Sequence, residues 1–155
     1  MDMADVEIDD KRERIDLEKV HSMLASTYWS KGISKEEILR GIDHSALVVG
    51  AYHPDHGQVG FLRVVSDMIR FAYLGDVIVD ERFRGRSIGQ RMVDYTISHP
   101  SLGMVYKWLL TTADAHGLYA KSGFQPLQRP EMWMILDKGI PVFPRDINFA
   151  DDKNR

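Results

Sequence analysis

Hydrophobic positions along the chain change period several times, and each change marks an element. Leu17, Val20, Met23 and Leu24 recur at the three-and-four spacing of one helix face. Asp16 stands where it can cap that helix, with Ile15 and Val20 at the two staple positions. Ser34-Lys35-Glu36-Glu37 is a capping box flanked by Ile33 and Ile38, which predicts a second helix to about Asp43. The period then falls to that of strands. Residues 46–52 (ALVVGAY) and 58–66 (QVGFLRVVS), joined by the turn His53-Pro54-Asp55-His56-Gly57, predict an antiparallel hairpin. A turn at Asp67-Met68 leads into a third strand from Phe71 to Val79, completing a three-stranded meander.

Ile88, Met92, Val93, Thr96 and Ile97 share a helical face that stops near His99-Pro100. A short buried strand is expected at 107–112. A short helix capped by Asp114 then runs to Ser122, with Gly123 in the C′ position, and Met132 to Leu136 supplies a last strand. The strand, helix, strand order implies a parallel neighbour reached by a right-handed crossover. Residues 1–14 are dominated by charge and read as a flexible start with at most a short strand at Val6 to Ile8; residues 138–155 read as an irregular tail. One α/β domain with a mixed sheet, over residues 15–137, is the architecture this pattern predicts.

The chain has 155 residues, 44% of them hydrophobic, enough for one real core. A formal net charge of −3 argues against nucleic acid as a bulk partner, because affinity for the phosphate backbone comes from accumulated cations. The absence of cysteine removes disulfides, a thiolate nucleophile and cysteine-based zinc sites. His53 and His56, two histidines in a turn with no thiol ligand, fall short of a metal site. No secretory signal and no apolar run near the ~20 residues of a membrane span are evident, so a cytoplasmic protein is expected.

Candidate chemistry concentrates in Asp76 to Gly89. A β-branched strand end (Val77, Ile78, Val79) passes through an arginine-rich turn into a helix beginning near Ser87. Gly85, Ser87 and Gly89 leave little side chain between the backbone and a guest, and the first turn of a helix offers unpaired N–H groups, an arrangement suited to phosphate. Arg82, Arg84, Arg86 and Arg91 either add cations for that phosphate or form a solvated basic face, with Arg82 expected to be exposed.

Arg84-Gly85-Arg86-Ser87-Ile88-Gly89 resembles the acyl-CoA-binding signature of the GCN5-related N-acetyltransferases, Gln/Arg-x-x-Gly-x-Gly/Ala, with Ser87 in place of the first glycine. Downstream, Thr112 to Phe124 resembles the family's second signature, Asn-x-x-Ala-x-x-Leu-Tyr-x-x-x-Gly-Phe. Ala115, Leu118, Tyr119, Gly123 and Phe124 match it, and Thr112 replaces the asparagine. The resemblance implies a sheet with an antiparallel meander and a splayed parallel strand pair, helices on both faces, and acetyl-CoA as cofactor. It places the pyrophosphate on the backbone from Arg84 through Gly85, Arg86, Ser87, Ile88 and Gly89 to Gln90, and the pantetheine arm along the strand at Ile78 and Val79, with Thr112 nearby. It gives Tyr119 the proton for the departing thiolate, sets the loop carrying Tyr28 and Trp29 over the acceptor, and allows a homodimer.

The reaction implied is transfer to a primary amine of a small molecule. The alternatives are a protein or peptide lysine acetyltransferase and a non-catalytic acyl-CoA sensor or interaction module. An alkylammonium near pKa 10.4 must lose a proton before it attacks. Asp76, expected to share a strand face with Ala72, Leu74 and Ile78, is placed among apolar neighbours whose desolvation would suit a base; the other reading is a structural aspartate bonded to backbone or an arginine. Tyr28 and Trp29 also read, from the residues alone, as core packing of their loop. Glu81, His116 and Tyr73 are weaker base candidates.

Overall fold

Local capping starts the first two helices as the sequence requires. In the computed structural model, which describes residues 6–139, the Asp16 carboxylate accepts from the Lys19 N–H at 3.2 Å and opens α1 (Leu17–Leu24). The Ser34 hydroxyl accepts from the Glu37 N–H, and the Glu37 carboxylate accepts from the Ser34 N–H, closing the capping box of α2 (Lys35–Asp43). Residues 140–155, which hold most of the expected irregular tail, and residues 1–5 lie outside the described residues.

One five-stranded sheet follows, in the order β1 (Glu7–Asp9), β2 (Leu47–His53), β3 (Gly57–Ser66), β4 (Ala72–Val79), β5 (Trp108–Leu109). The first three pairings are antiparallel and β4 with β5 is parallel. β1 adds a fourth strand to the meander, so the charged start takes part in the sheet from Glu7. Arg91 of α3 (Ile88–Ile97) donates to the Val6 carbonyl at 2.7 Å and holds that edge down.

Helices cover both faces. Val20, Leu24, Ile38 and Ile42 of α1 and α2 pack with Val48, Phe61 and Ile78, while Ile88, Met92 and Val93 of α3 pack on Val49, Leu62, Val64, Ala72 and Leu74. Phe61 and Leu62, adjacent in β3 and fully buried, point into opposite layers. Each such burial stabilises the fold by roughly 1.5–3 kcal/mol.

Three expectations are corrected. The strand expected at 107–112 is only two residues long and half-buried, because β5 stays against β4 for two rungs, Ala72 with Trp108 and Tyr73 with Leu109, before the strands part. Met132 to Leu136 forms no strand; it lies exposed after a 3-10 turn at Pro130–Met132. Asp76 does not share a face with Ala72 and Leu74. Arg63 pairs with Gly75 and Phe61 with Ile78, so two steps on β3 oppose three on β4. The extra residue is a β-bulge in which Asp76 takes φ +54°, and it moves Ile78 to the α1/α2 face.

Candidate active site

The parting of β4 from β5 opens a gap in the sheet. At its closed end the Tyr73 hydroxyl meets the Thr111 hydroxyl at 3.1 Å. Beyond it β4 has no strand partner on that side among the described residues. The Asp80 N–H donates to the Val59 carbonyl at 2.8 Å, toward β3; by the alternation of an antiparallel ladder, the N–H and C=O of Val79 face the gap, and those of Ile78 face β3. Of the two strand residues expected at the cofactor, Val79 therefore offers its backbone, whereas Ile78 buries its side chain under α1 and α2.

Next to the gap lies the turn into α3. Gly85 (φ +75°) and Ser87 (φ +64°) are both left-handed, and a Cβ at Gly85 would meet nothing within 4 Å. Ser87 opens α3 without a side-chain cap. The N–H groups of Gly85, Arg86, Ser87, Ile88, Gly89 and Gln90 have no acceptor among the described residues, whereas that of Arg84 donates to the Glu81 carbonyl at 3.4 Å. Six unpaired amides in a glycine-lined turn at a helix start fit a phosphate-bearing ligand.

The cations divide unequally around this turn. Arg82 is forked onto Asp80, at 3.1 and 3.0 Å, and Arg91 is bound to Val6. Arg84 donates through Nε to the Val79 carbonyl at 3.1 Å, and Arg86 is exposed beside it. Two of the four arginines, Arg84 and Arg86, thus border the turn. Gln90 turns its amide side chain to Asp94 and Ser122, tying α3 to the end of α4 (His116–Ala120). At Gly89 an added Cβ would lie 3.3 Å from Leu118, so this glycine also admits close packing of α4 on α3.

Asp114 does not cap α4. The helix opens at Ala115 without a side-chain cap, and the Thr112 hydroxyl accepts from the Ala115 N–H at 3.0 Å, ordering the turn just before it. The helix ends as expected at Gly123 (φ +98°): Phe124 N–H donates to the Tyr119 carbonyl and Gly123 N–H to that of Ala120, a Schellman motif. This fixes Tyr119, whose ring meets that of Phe124 edge-on with centroids 6.0 Å apart. Tyr119 is 9% exposed; its hydroxyl has no hydrogen-bond partner among the described residues and is not sealed from solvent. Burial, reinforced by the negative potential of Tyr28, Asp114 and Tyr73, pushes its pKa up to about 12. The phenol therefore keeps its proton at neutral pH.

The loop between α1 and α2 spans the mouth of the gap. The Trp29 indole N–H donates to Asp76 at 3.1 Å, and the Tyr28 hydroxyl accepts from the Ala113 N–H at 3.2 Å, so the loop is bonded to both sides. Tyr28 and Trp29 also stack edge-on at 5.0 Å. The second oxygen of Asp76 accepts from Arg63 Nε at 2.7 Å, and Arg63 donates to the Ser45 hydroxyl at 3.4 Å. Asp76 is thus an ion-paired carboxylate, not one among apolar neighbours. Arg63 escaped the sequence reading, although a lone charge inside the apolar run of β3 was the signal for it.

The remaining candidates lie apart. His53 and His56 stack on each other and on Phe83, with no third ligand. No group of three or more metal-binding side chains exists among the described residues. No helix among them is long and apolar enough to cross a membrane. A concavity lined by Glu7, Asp9, Arg91 and Tyr95 sits at the β1 edge of the sheet, opposite the gap.

Residues 43–126 match the family model of the acetyltransferase (GNAT) domain. A GNAT-family protein from Xanthomonas campestris pv. campestris is 38% identical, with 88% of this chain and 94% of that one covered at a TM-score of 0.80. A Deinococcus radiodurans R1 protein assigned to the acetyltransferases shares the fold at 22% identity, with 92% and 98% covered and a TM-score of 0.72. Glucosamine-6-phosphate N-acetyltransferase from Arabidopsis thaliana shares it at 16% identity, with 88% and 99% covered and a TM-score of 0.63. No curated protein matches the chain. The match extends over more than half the sequence and takes in both the amide-rich turn and Tyr119, and on that ground the chain belongs to the GNAT family of acetyltransferases.

Proposed function

We propose that the protein is a cytoplasmic N-acetyltransferase that uses acetyl-CoA to acetylate a primary amine of a small molecule in a ternary complex, working as a homodimer. The observation that carries this reading is the opening of β4 after two rungs, directly beside six unpaired amides and the unpaired Tyr119 hydroxyl. Gly85 to Gln90 would hold the diphosphate through their amides, with Arg84 and Arg86 adding charge, and Thr112 borders the same cleft. Acetyl-CoA, when bound, supplies an acyl group activated as a thioester.

Each role then falls to a residue of this chain. The Val79 N–H, facing the gap, stabilises charge developing on the acyl oxygen. Asp76 takes the proton released by the amine, through a water: its two oxygens accept from Trp29 and Arg63, and each keeps a further lone pair. As the C–N bond forms and the C–S bond breaks, Tyr119 donates its proton to sulfur; the burial that keeps the phenol protonated also makes a departing thiolate more basic. Tyr28 and Trp29 wall the acceptor. Their bonds to Ala113 and Asp76 close the mouth that a peptide would need, which favours a small acceptor.

The deciding experiment is CoA release from acetyl-CoA across a panel of polyamines, amino acids, amino sugars and lysine peptides. Turnover with a small amine and none with peptides is the expected result. Turnover with peptides alone would overturn the acceptor class, and CoA binding without any turnover would favour a sensor.

A further inference from the structure

Two side-chain donors among the described residues hold the Asp76 carboxylate, and they differ in kind. Trp29 reaches Oδ1 at 3.1 Å from the loop between α1 and α2, where Tyr28 is 64% and Trp29 38% exposed. Arg63 reaches Oδ2 at 2.7 Å from the neighbouring strand β3, with 27% of its side chain exposed. One donor rides on a surface loop across the mouth of the gap; the other is set into the sheet.

Arg63, the only charged residue of β3, is itself fixed from behind. Its Nη1 donates to the Ser45 hydroxyl at 3.4 Å, and that hydroxyl donates to the Gly41 carbonyl of α2 at 2.7 Å. With its one proton committed to the helix, the Ser45 oxygen accepts from Arg63, so the direction of every bond from α2 to Asp76 is determined. The guanidinium also lies along α2, where a Cβ added at Gly41 would be 3.5 Å from Arg63 Cζ.

Asp76 needs such an anchor. Its φ of +54° at the bulge is a left-handed backbone uncommon for a residue with a side chain, and bulges of this kind re-aim the side chain they carry. The bulge brings the carboxylate to the mouth without fixing which way its oxygens face. When the loop lifts to admit an acceptor, Trp29 leaves with it, and Arg63 is the donor that stays.

We infer that Arg63 is a positioning residue for acetyl transfer: tied to α2 through Ser45, it keeps the Asp76 carboxylate aimed at the amine while Trp29, the second donor, comes and goes with the loop. The inference rests on the proposed role of Asp76 as acceptor of the amine proton. That proton still passes from the amine nitrogen through water to an Asp76 oxygen, and Arg63 keeps all of its own. The two donors on one carboxylate thereby take different duties. Arg63 sets how well the proton is taken, and so kcat; Trp29 sets how the acceptor is enclosed, and so KM for the amine.

Steady-state kinetics of the full chain, with acetyl-CoA and the best small amine of the panel, test this together with nuclear magnetic resonance. Arg63→Met keeps the aliphatic stem and is expected to lower kcat by about 10–10²-fold, with KM for acetyl-CoA and the circular dichroism unchanged. Arg63→Lys, which restores the charge, should recover part of that loss. In an Asp76→Asn background the same Arg63→Met change should cost no more than about twofold, because no base is left to aim. A second readout needs no acceptor. The Trp29 indole N–H resonance, identified among the three tryptophans by its loss in Trp29→Phe, should shift in Arg63→Met while the other two stay in place. An equal loss of kcat in both backgrounds overturns the inference, and so does a Trp29 resonance that Arg63→Met leaves unmoved. A wild type that turns over no amine overturns the proposed function and this inference with it, whereas wild-type turnover with either of those two results overturns this inference alone.

Discussion

Arg63 on β3 and Asp76 on β4 form an ion pair at 2.7 Å across the β-bulge that turns Asp76 out of the ladder. Both side chains are largely withdrawn from water, with 27% and 19% exposed. Arg63→Leu leaves a carboxylate short of its strongest donor and is expected to lower stability by about 1–3 kcal/mol in urea unfolding. The double variant Arg63→Leu/Asp76→Leu should lose less than the two single losses added together, by more than ~0.5 kcal/mol, if the pair is energetically coupled. Strict additivity would show that it is not.

Tyr119→Phe removes a hydroxyl that bonds to no described residue. Stability should change by no more than about 0.5 kcal/mol, while kcat falls by roughly 10²–10⁴ with binding of CoA retained. A variant with full turnover would take the proton donor away from this phenol.

Tyr119 and Tyr52 both have pKa values pushed from 10.0 up to about 12, chiefly by burial. Since the folded state resists ionisation, the unfolded chain releases these protons first. Stability is therefore unaffected by either group below about pH 10 and declines as pH rises from there through 12. Each phenol contributes on the order of 2–3 kcal/mol to that decline. Phenolate absorbance during an alkaline titration should show late-ionising tyrosines, Tyr95 being raised as well by burial and Asp10, and Tyr52→Phe or Tyr119→Phe should each remove one.

Gly85 and Ser87 hold left-handed backbone in the amide-rich turn. Gly85→Ala meets no atom but is strained at φ +75°, and should cost about 1–2 kcal/mol or shift the turn, weakening CoA binding by calorimetry. Ser87→Gly relieves the same kind of strain and is expected to leave CoA affinity equal or higher. The reverse order of affinities would mean that the Ser87 side chain, and not the turn, makes the contact.

The strap across the gap depends on two polar contacts from adjacent aromatics. Trp29→Phe keeps a ring but loses the donor to Asp76. It is expected to raise KM for the amine several-fold and leave KM for acetyl-CoA unchanged, because the amide-rich turn proposed for the diphosphate lies elsewhere. Equal effects on both constants would place the loop over the cofactor.

Local chemistry accounts for what could be read directly. The Asp16 cap, the Ser34–Glu37 box and the Gly123 terminus each involve residues within a few positions of one another, and each forms as the sequence predicts. The meander was legible through its period-2 runs and turn residues, and the two signatures placed the turn and Tyr119 in the right order. Less legible were the destinations of long side chains. Four arginines crowd residues 82–91 with no local signal for their partners, but Arg82 closes on Asp80 and Arg91 reaches 85 residues back to Val6.

By itself, the sequence determined where helices start and stop, which runs are strands, and that a glycine-lined turn precedes a helix, since capping, periodicity and backbone freedom act over a few residues. Only the tertiary structure decided that β4 bulges at Asp76 and switches face, that β5 keeps two rungs and so opens the gap, and that Tyr28 and Trp29 bridge it. A bulge is a mismatch between two strands, and a gap is the divergence of two others. Neither is a property of any one segment, so neither is fixed until the segments meet.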